Sequence, residues 1–305
     1  MDKVIGSRLN LFLLHNESDS EKELIKVKNS PKLMKIVSEI KKKFDIPFET
    51  YSEWTTLKEL YNFIGKIPKD KTVYTNRILG CMETFRAVMS KLEVRLPNEI
   101  SYDLLYIIGV IIGDGSLPKN TTKKVYPVYI CGTNEEYVKG SIKPLMKTLF
   151  GLDSKVKGKK RDNKRVLFEW YRCSKPLYRF LSNILGIPTG KKSHIVEMSE
   201  IIKKLDLEKQ LSFLAGLIDT DWGNEYYTFG SGCVSRQLLE DSKAILEKSG
   251  IKNLKIKDRP NNAKNGSFSL CIPKNQIIDF SRIVRKRLKN TEKLKILDNL
   301  NAPVV

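Results

Sequence analysis

The sequence predicts an α+β protein in which one structural module occurs twice, preceded by a mainly helical segment. The first observation is a repeated apolar motif: residues 104–115 read LLYIIGVIIGDG and residues 211–222 read LSFLAGLIDTDW. The second is a lysine-alternating strand, KVKGK at 155–159 and KIKDR at 255–259. Two elements that recur in the same order about a hundred residues apart indicate an internal duplication.

Composition narrows the class of partner. The 305 residues include 55 Lys or Arg and 35 Asp or Glu, a formal net charge of +20. The positive electrostatic potential of such a protein favours nucleic acid or an anionic membrane surface as its binding partner. The longest apolar run, Leu104–Ile112, is far shorter than the roughly 20 residues that span a bilayer. No signal peptide is visible, and five scattered cysteines with two histidines match neither a disulfide framework nor a zinc site. We therefore expect a cytoplasmic protein that does not bind membranes.

Residues 1–98 are expected to form a separate helical domain. The segment 37–56, VSEIKKKFDIPFETYSEWTT, resembles a helix-turn-helix with its turn at Asp45–Pro47. A small helical bundle without DNA contacts is the alternative. Further helices are predicted over 57–64 and 76–92, and the proline of Leu96–Ser101 indicates a linker.

The elements of each module follow one order. After the apolar motif come a short strand and then an amphipathic helix, Glu135–Phe150 in the first copy and Arg236–Ser249 in the second. The basic strand is followed by a second strand, and a helix containing Phe180 or Phe280 closes the module. The second strands are predicted at 165–172 and 267–272.

Small residues predict that the two motif helices touch. Gly109 and Gly113 lie four apart on one helical face, as do Gly216 and Thr220. An interior glycine costs about 1 kcal/mol relative to alanine, so close backbone packing is the reason expected for it.

Each motif ends in an acid, Asp114 or Asp221. The C-terminus of a helix is the unfavourable end for negative charge, and two adjacent carboxylates repel one another. A divalent cation resolves both conflicts, since carboxylates, waters and a phosphate form a typical Mg²⁺ shell. Asp114 and Asp221 are therefore the predicted metal ligands and catalytic residues, suited to phosphodiester cleavage.

Seven of the eleven residues 155–165 are basic, and strand alternation places cations on one sheet face. A solvated face is the alternative, but density and duplication favour contact with the phosphate backbone of duplex DNA. The predicted DNA-binding residues are Lys123, Lys124, Lys155, Lys157, Lys159, Lys160, Arg161, Lys191, Lys192, Lys255, Lys257 and Arg259.

The segments YIIGVIIGDG and LAGLIDTDW resemble the two motifs of single-chain LAGLIDADG homing endonucleases. The segment LGIPTGKKSHIVEM (185–198) is similar to the inter-repeat segment of archaeal and intein-borne members, and RKRLKNTEKLKILDNL (285–300) fits their closing segment. The resemblance covers about residues 102–300.

This resemblance implies two αββαββα repeats, 102–205 and 206–305, related by a pseudo-two-fold axis. The motif helices would form the interface, and two four-stranded sheets would form a saddle over double-stranded DNA. Asp114 and Asp221 would hold Mg²⁺, with Mn²⁺ able to substitute, and a monomer would cut both strands.

Three departures from the family pattern stand out. Trp222 occupies the usual glycine position of the second motif, where a bulky side chain is expected to disturb the turn. The first hairpin of the second repeat is shorter. The lysine that many members carry near the metal has no counterpart at Gly132, Thr133, Val234 or Ser235, so Lys123, Lys124, Lys175 and Lys274 are the candidate substitutes.

Two non-nuclease functions remain open. The same saddle and helix-turn-helix could bind an operator as a regulator without cutting. A positive sheet could also bind intron RNA as a maturase does. The shortened first hairpin of the second repeat is compatible with either alternative, whereas the two retained acids favour the enzyme.

Overall fold

The computed structural model describes residues 2–49, 53–119, 125–161, 165–225, 228–259 and 266–301. An N-terminal region precedes two α+β repeats whose sheets have the same strand order. Within the described ranges, no helix is long and apolar enough to cross a membrane.

The N-terminal region contains three α-helices and a sheet that was not predicted. The helices are α1 (Pro31–Phe44), α2 (Leu57–Gly65) and α3 (Lys71–Leu79). The strands are β1 (Val4–Ile5), β2 (Arg8–Leu9), β3 (Ile25–Lys28), β4 (Trp54–Thr56), β5 (Thr84–Ala87) and β6 (Val94–Arg95). Strands β1 and β2 pair with each other, and the others form an antiparallel sheet in the order β4-β3-β5-β6.

The helix-turn-helix predicted over 37–56 is wrong. Helix α1 ends at a left-handed Asp45, with φ of 54°. Pro47 then disfavours the helical conformation for the residue before it. Residues 54–56 form strand β4, because a tryptophan and two threonines suit a pleated, half-buried surface.

The helix predicted over 76–92 is also wrong. Helix α3 already ends at Leu79, and its C-cap Gly80 leads into the hairpin β5–β6. The buried Phe85 of β5 packs in the core on one face of the sheet, while Arg86 lies on the other face. Apolar residues in this stretch thus follow a period of two rather than the helical period.

The first repeat begins with a helix and contains one four-stranded sheet. Its elements are α4 (Tyr102–Asp114), β7 (Gly115–Ser116), β8 (Pro127–Gly132), α5 (Glu135–Tyr137), a π turn (Val138–Ile142), α6 (Lys143–Phe150), β9 (Lys157–Arg161), β10 (Arg165–Cys173) and α7 (Lys175–Arg179). The sheet order is β7-β8-β10-β9, and all three pairings are antiparallel.

The second repeat has the same order of elements after a short connecting helix. The elements are α8 (Glu200–Lys203), α9 (Leu207–Asp221), β11 (Trp222–Glu225), β12 (Thr228–Cys233), α10 (Arg236–Lys248), β13 (Ile256–Arg259), β14 (Ser267–Cys271), α11 (Ile277–Val284) and α12 (Thr291–Asn301). The sheet order β11-β12-β14-β13 repeats that of the first sheet. The predicted α+β class with two αββαββα repeats is therefore confirmed.

The core lies between each sheet and its helices. Trp170 of β10 and Phe229 of β12 are fully buried, and so are Phe180 and Phe280, which lie a hundred positions apart. Burying each aromatic side chain contributes on the order of 2–3 kcal/mol. Phe180 and Phe280 therefore fill equivalent places in the two repeats.

A buried ion pair fastens the N-terminal region to the first repeat. Asp19 accepts two hydrogen bonds from Arg179, at 2.5 and 2.6 Å, and a third from Lys175 at 3.3 Å. The Arg179 guanidinium also donates to the carbonyl oxygen of Leu14 at 2.8 Å. The side chains of Asp19 and Lys175 are only 5% and 4% exposed, so removing either partner would leave an uncompensated buried charge.

Candidate active site

Helices α4 and α9 touch through their backbones. A Cβ placed on Gly109 would lie 2.1 Å from the carbonyl oxygen of Phe213, and one on Gly216 would lie 2.1 Å from the carbonyl oxygen of Tyr106. Carbon and oxygen atoms cannot approach so closely without repulsion. Only glycine fits at both positions, and the reciprocal contacts indicate the pseudo-two-fold relation of the repeats.

This close approach brings the two helix ends together. Asp114 is the last residue of α4, and Asp221 is the last residue of α9. A Cβ on Gly113 would lie 2.1 Å from Thr220 Oγ1 and 3.2 Å from Asp221 Oδ2. The Asp221 carboxylate therefore lies beside the residue that precedes Asp114, and both acids share one region of space.

The surroundings favour the protonated form of both acids. Burial by the protein around it and the charge of Asp114 raise the pKa of Asp221 to about 6, while Lys192 and Lys293 act in the opposite direction. Burial likewise raises the pKa of Asp114 against the same two lysines. Both side chains nevertheless remain exposed on one side. Their charged forms are therefore disfavoured, but a ligand can reach both carboxylates from solvent.

Two half-buried lysines border the acids. Lys192 Nζ donates to the carbonyl oxygens of Ile111 and Gly113, at 2.5 and 3.0 Å, and so neutralises the C-terminal end of α4. Lys293 of α12 donates to the carbonyl oxygen of Trp222, just beyond α9. Burial lowers the pKa of Lys192 to about 8 and lowers the pKa of Lys293, whereas the two aspartates favour the charged form of each.

The two lysines were not predicted in this position. Lys192 was expected at the DNA surface together with the exposed Lys191, and Lys293 was missed. A signal was present, because Lys192 and Lys293 are 101 positions apart, close to the spacing of the other repeated elements. Of the candidate substitutes, Lys175 instead binds Asp19, and Lys274 lies in a short turn after β14. Lys123 and Lys124 lie outside the described residues.

Asp219 places the helix that carries Lys293. Its Oδ2 accepts hydrogen bonds from the backbone N–H groups of Lys289 and Asn290, at 2.6 and 3.2 Å, and from the Tyr106 hydroxyl at 2.5 Å. Asn290 Nδ2 donates to the Asp219 carbonyl oxygen at 2.9 Å. Asp219 is only 1% exposed, and burial raises its pKa to about 6. The first copy has Ile112 at the matching motif position.

Trp222 does not disturb the turn after α9, contrary to the expectation from the sequence. Its φ and ψ of −92° and 151° are close to the −90° and 170° of Gly115, so both residues begin a strand in extended backbone. The indole is buried and stacks on Phe280, with ring centroids 6.0 Å apart and an interplanar angle of 11°. A negative φ needs no glycine, and the core of the second repeat accepts the ring.

The first hairpins of the two repeats differ in length. Strands β11 and β12 are separated by residues 226–227 and pair over four residues, from Trp222 to Glu225. Strands β7 and β8 pair over only two residues and are connected by residues 117–126. The shorter connection in the second repeat agrees with the prediction.

The predicted basic face of the first sheet carries Lys157 and Lys159 beside Tyr129 and Tyr171. These residues line one open groove, and Lys159 Nζ donates to a carboxylate oxygen of Glu169 at 2.9 Å. Lys155 precedes β9 and is exposed, alternation places Lys160 on the other sheet face, and the side chain of Arg161 lies outside the described residues.

The described part of the second sheet presents fewer exposed basic side chains. Lys255 and Lys257 are exposed, but Arg259 forms an ion pair with Glu225 across the sheet and lies over Gly232. In the described ranges, no cluster of three or more His, Cys, Asp or Glu side chains could hold a metal. Among the described residues, the candidate site therefore contains a pair of acids, Asp114 and Asp221, rather than a larger cluster.

Several solved structures are similar to this chain. The chain is similar to the homing endonuclease I-DmoI, in mesophilic variants, at 24% identity over 61% of this chain and 96% of that chain, with a TM-score of 0.46. It is similar to I-WcaI bound to its DNA recognition sequence at 16% identity over 64% and 85% of the chains, with a TM-score of 0.47. Full-length DUF199/WhiA from Thermatoga maritima gives 14% identity over 65% and 59%, with a TM-score of 0.40.

Curated proteins yield no match to this chain. One family model does match it, over the first repeat. Residues 101–185, which run from the N-cap of α4 to the end of the first repeat's last helical turn, match the model described as a LAGLIDADG-like domain. The first repeat is therefore similar to a LAGLIDADG-like domain.

Proposed function

We propose that this protein is a metal-dependent, site-specific endonuclease that cuts both strands of duplex DNA. The observation that carries this proposal is the meeting of Asp114 and Asp221 at the ends of two touching helices. Two carboxylates at helix C-termini are costly unless a cation joins them. One chain provides both acids, so we propose that it acts as a monomer.

The residues fit a divalent cation such as Mg²⁺ or Mn²⁺. Carboxylate oxygens are hard ligands, and two of them leave room for waters and a phosphate oxygen. Burial and the charge of Asp114 raise the pKa of Asp221 despite the two lysines, so a bound cation would stabilise the charged form of this carboxyl. When bound, the metal would activate water and stabilise charge on the leaving oxygen.

The other residues of the site would position the DNA and tune the charge of the acids. Lys192 and Lys293 would limit the repulsion between Asp114 and Asp221, and would attract the scissile phosphates. Asp219 would keep α12, and with it Lys293, against the end of α9. The exposed lysines of the two sheets would hold the phosphate backbone on either side.

The proposal is tested by cleavage of a randomised plasmid library in Mg²⁺ or Mn²⁺. We expect linear product cut at one sequence by the wild type and none by Asp114→Asn, because the latter removes one charged ligand without a change in shape. The wild type could instead bind duplex DNA in a salt-sensitive manner without cutting any member of the library. That result would favour a regulator that binds DNA through the two sheets. Preferential binding of structured RNA would favour the maturase-like function.

The raised pKa of Asp221 predicts a pH-dependent effect of metal on stability. A carboxyl with a folded pKa of about 6 destabilises the fold increasingly as the pH rises from its ordinary value of 3.8 through 6. Mg²⁺ binds the charged form and relieves this penalty. We expect Mg²⁺ to raise Tm at about pH 7.5 but hardly at about pH 4.5. The increase should be roughly 5 °C at 100 times Kd, which corresponds to about 2.7 kcal/mol.

Differential scanning calorimetry with and without Mg²⁺ provides this measurement. Asp221→Asn should raise Tm of the metal-free protein at neutral pH and lose the response to Mg²⁺. Asp279→Asn, which changes an exposed acid of α11, should keep the wild-type response. An equal response to Mg²⁺ in Asp221→Asn would place the cation elsewhere.

A further inference from the structure

Helices α2 and α3 follow one another after a five-residue turn, in the order of a helix-turn-helix, and α2 begins 20 residues beyond the start of the segment predicted from the sequence. Helix α2 ends at Gly65, residues 66–70 form the turn, and α3 begins at Lys71. The hairpin β5–β6 follows α3 directly, and α1 packs behind it through Phe44 and Tyr74, whose rings meet edge to face at 5.5 Å. In proteins with this motif, the second helix enters the major groove of DNA.

We propose that α3 and the β5–β6 turn form a second surface for double-stranded DNA, separate from the two sheets of the repeats. This surface would read a sequence that flanks the one held by the repeats. The inference rests on the proposed binding of duplex DNA by this protein, but not on its cleavage.

The division of α3 into two faces supports the proposal. Tyr74, Ile78 and Leu79 are buried in the N-terminal core and fix the helix in place. Thr72 is exposed and Val73 is 59% exposed, although valine usually lies inside a protein. An exposed valine and threonine on the first turn of such a helix suit contact with thymine methyl groups in the major groove.

Charge around the N-terminal end of α3 suits the same partner. Lys66, Lys69 and Lys71 are all exposed in or beside the turn, against one exposed acid, Asp70. The first N–H groups of α3 receive no side-chain cap from Asp70. Three lysines at a helix N-terminus favour phosphate oxygens, and this is the end of a recognition helix that approaches the bases.

The β5–β6 turn links this surface to the DNA face of the first repeat. Met89 at the turn is 75% exposed, and Lys91 is exposed beside it. Ser90 and Leu92 of the same turn line the groove that contains Lys157 and Lys159 of β9. A duplex held on the first sheet would therefore continue past the turn, which places the N-terminal region beside flanking DNA rather than across the molecule from it.

Selection of bound duplexes from a random pool tests this inference with the full chain. Binding is selected in Ca²⁺ or EDTA, so that cutting plays no part. We expect the wild type to select two blocks of sequence. The variant Lys71→Ala/Thr72→Ala/Val73→Ser should lose one block and bind the best wild-type site about 10-fold to 100-fold more weakly, since each base contact contributes about tenfold.

The control Lys42→Ala removes an exposed lysine from α1 and should select both blocks with wild-type affinity. If the triple variant has a lower Tm than the wild type, the single variant Val73→Ser replaces it, because this variant changes only one exposed side chain. Val73→Ser should weaken the base preference within the same block. Identical sequences and affinities for wild type and α3 variants would overturn the inference. If the wild type selects both blocks but does not cut the selected duplex when Mg²⁺ is added, only the nuclease proposal fails, and so the two failures can be distinguished.

Discussion

Replacement of Asp221 by Asn is expected to abolish double-strand cleavage while DNA affinity stays near that of the wild type. The change keeps the shape of the side chain but removes the charge that, with Asp114, would hold the cation. A metal ion contributes several kcal/mol to stabilisation of the charged transition state, which corresponds to about 10³-fold or more in rate. Single-turnover cleavage of the selected site, with binding measured on the same duplex, separates the two effects.

Asp279→Asn is the matched control, because it removes one exposed acid far along the chain from either motif and should cut at the wild-type rate. Asp114→Asn should behave as Asp221→Asn does, since both acids lie in one shared site. Cleavage by Asp221→Asn within tenfold of the wild-type rate would contradict the assigned role of the acid pair.

Gly216→Ala is expected to cause the largest loss of stability of any single methyl addition in this protein's helix interface. The new Cβ would lie 2.1 Å from the Tyr106 carbonyl oxygen and 2.8 Å from the Val110 amide nitrogen. Both contacts are with backbone, so no side chain can rotate away, and α4 and α9 must separate. Overpacking of this kind costs about 1–3 kcal/mol, and a rigid backbone places it at the upper end. Urea denaturation of the full chain measures this free energy of unfolding.

Gly140→Ala provides the comparison. It lies in the helical segment after α5, and a Cβ there would meet no heavy atom within 4 Å. Alanine should therefore leave stability unchanged or raise it by up to about 1 kcal/mol, through its better helix propensity. A loss in Gly216→Ala no greater than in Gly140→Ala would show that the helices can move apart at little cost.

The repeated architecture could be predicted because its strongest constraints are local in the sequence. Gly109 and Gly216 are informative, since a glycine inside an apolar helix is costly unless another backbone approaches it. The fully buried Phe180 and Phe280 recur at a fixed spacing because each fills the same place in its repeat. Interior glycines and repeated aromatic residues mark the side of an element that must be buried, even when the element that packs against it is not known.

Other features depend on contacts that cross the whole chain. Lys293 reaches the end of α9 only because Asp219 binds the start of α12, seventy residues further along. The second helix predicted within 37–56 is wrong, because Pro47 and the threonines of β4 disfavour a helix where apolar spacing alone would allow one. In the N-terminal region, the strand propensity of the threonines and the conformational restriction by Pro47 therefore outweighed the helical spacing of the apolar residues.

The unequal first hairpins of the two repeats have a consequence for orientation. A molecule with perfect two-fold symmetry could bind a palindrome in either of two equivalent directions. Here the ten-residue connection between β7 and β8 contrasts with the two residues between β11 and β12. Rotating a duplex by half a turn would therefore exchange unlike surfaces. If the protein cuts DNA as proposed, only one direction along the duplex would suit both halves, and Asp114 and Asp221 would each always face the same strand.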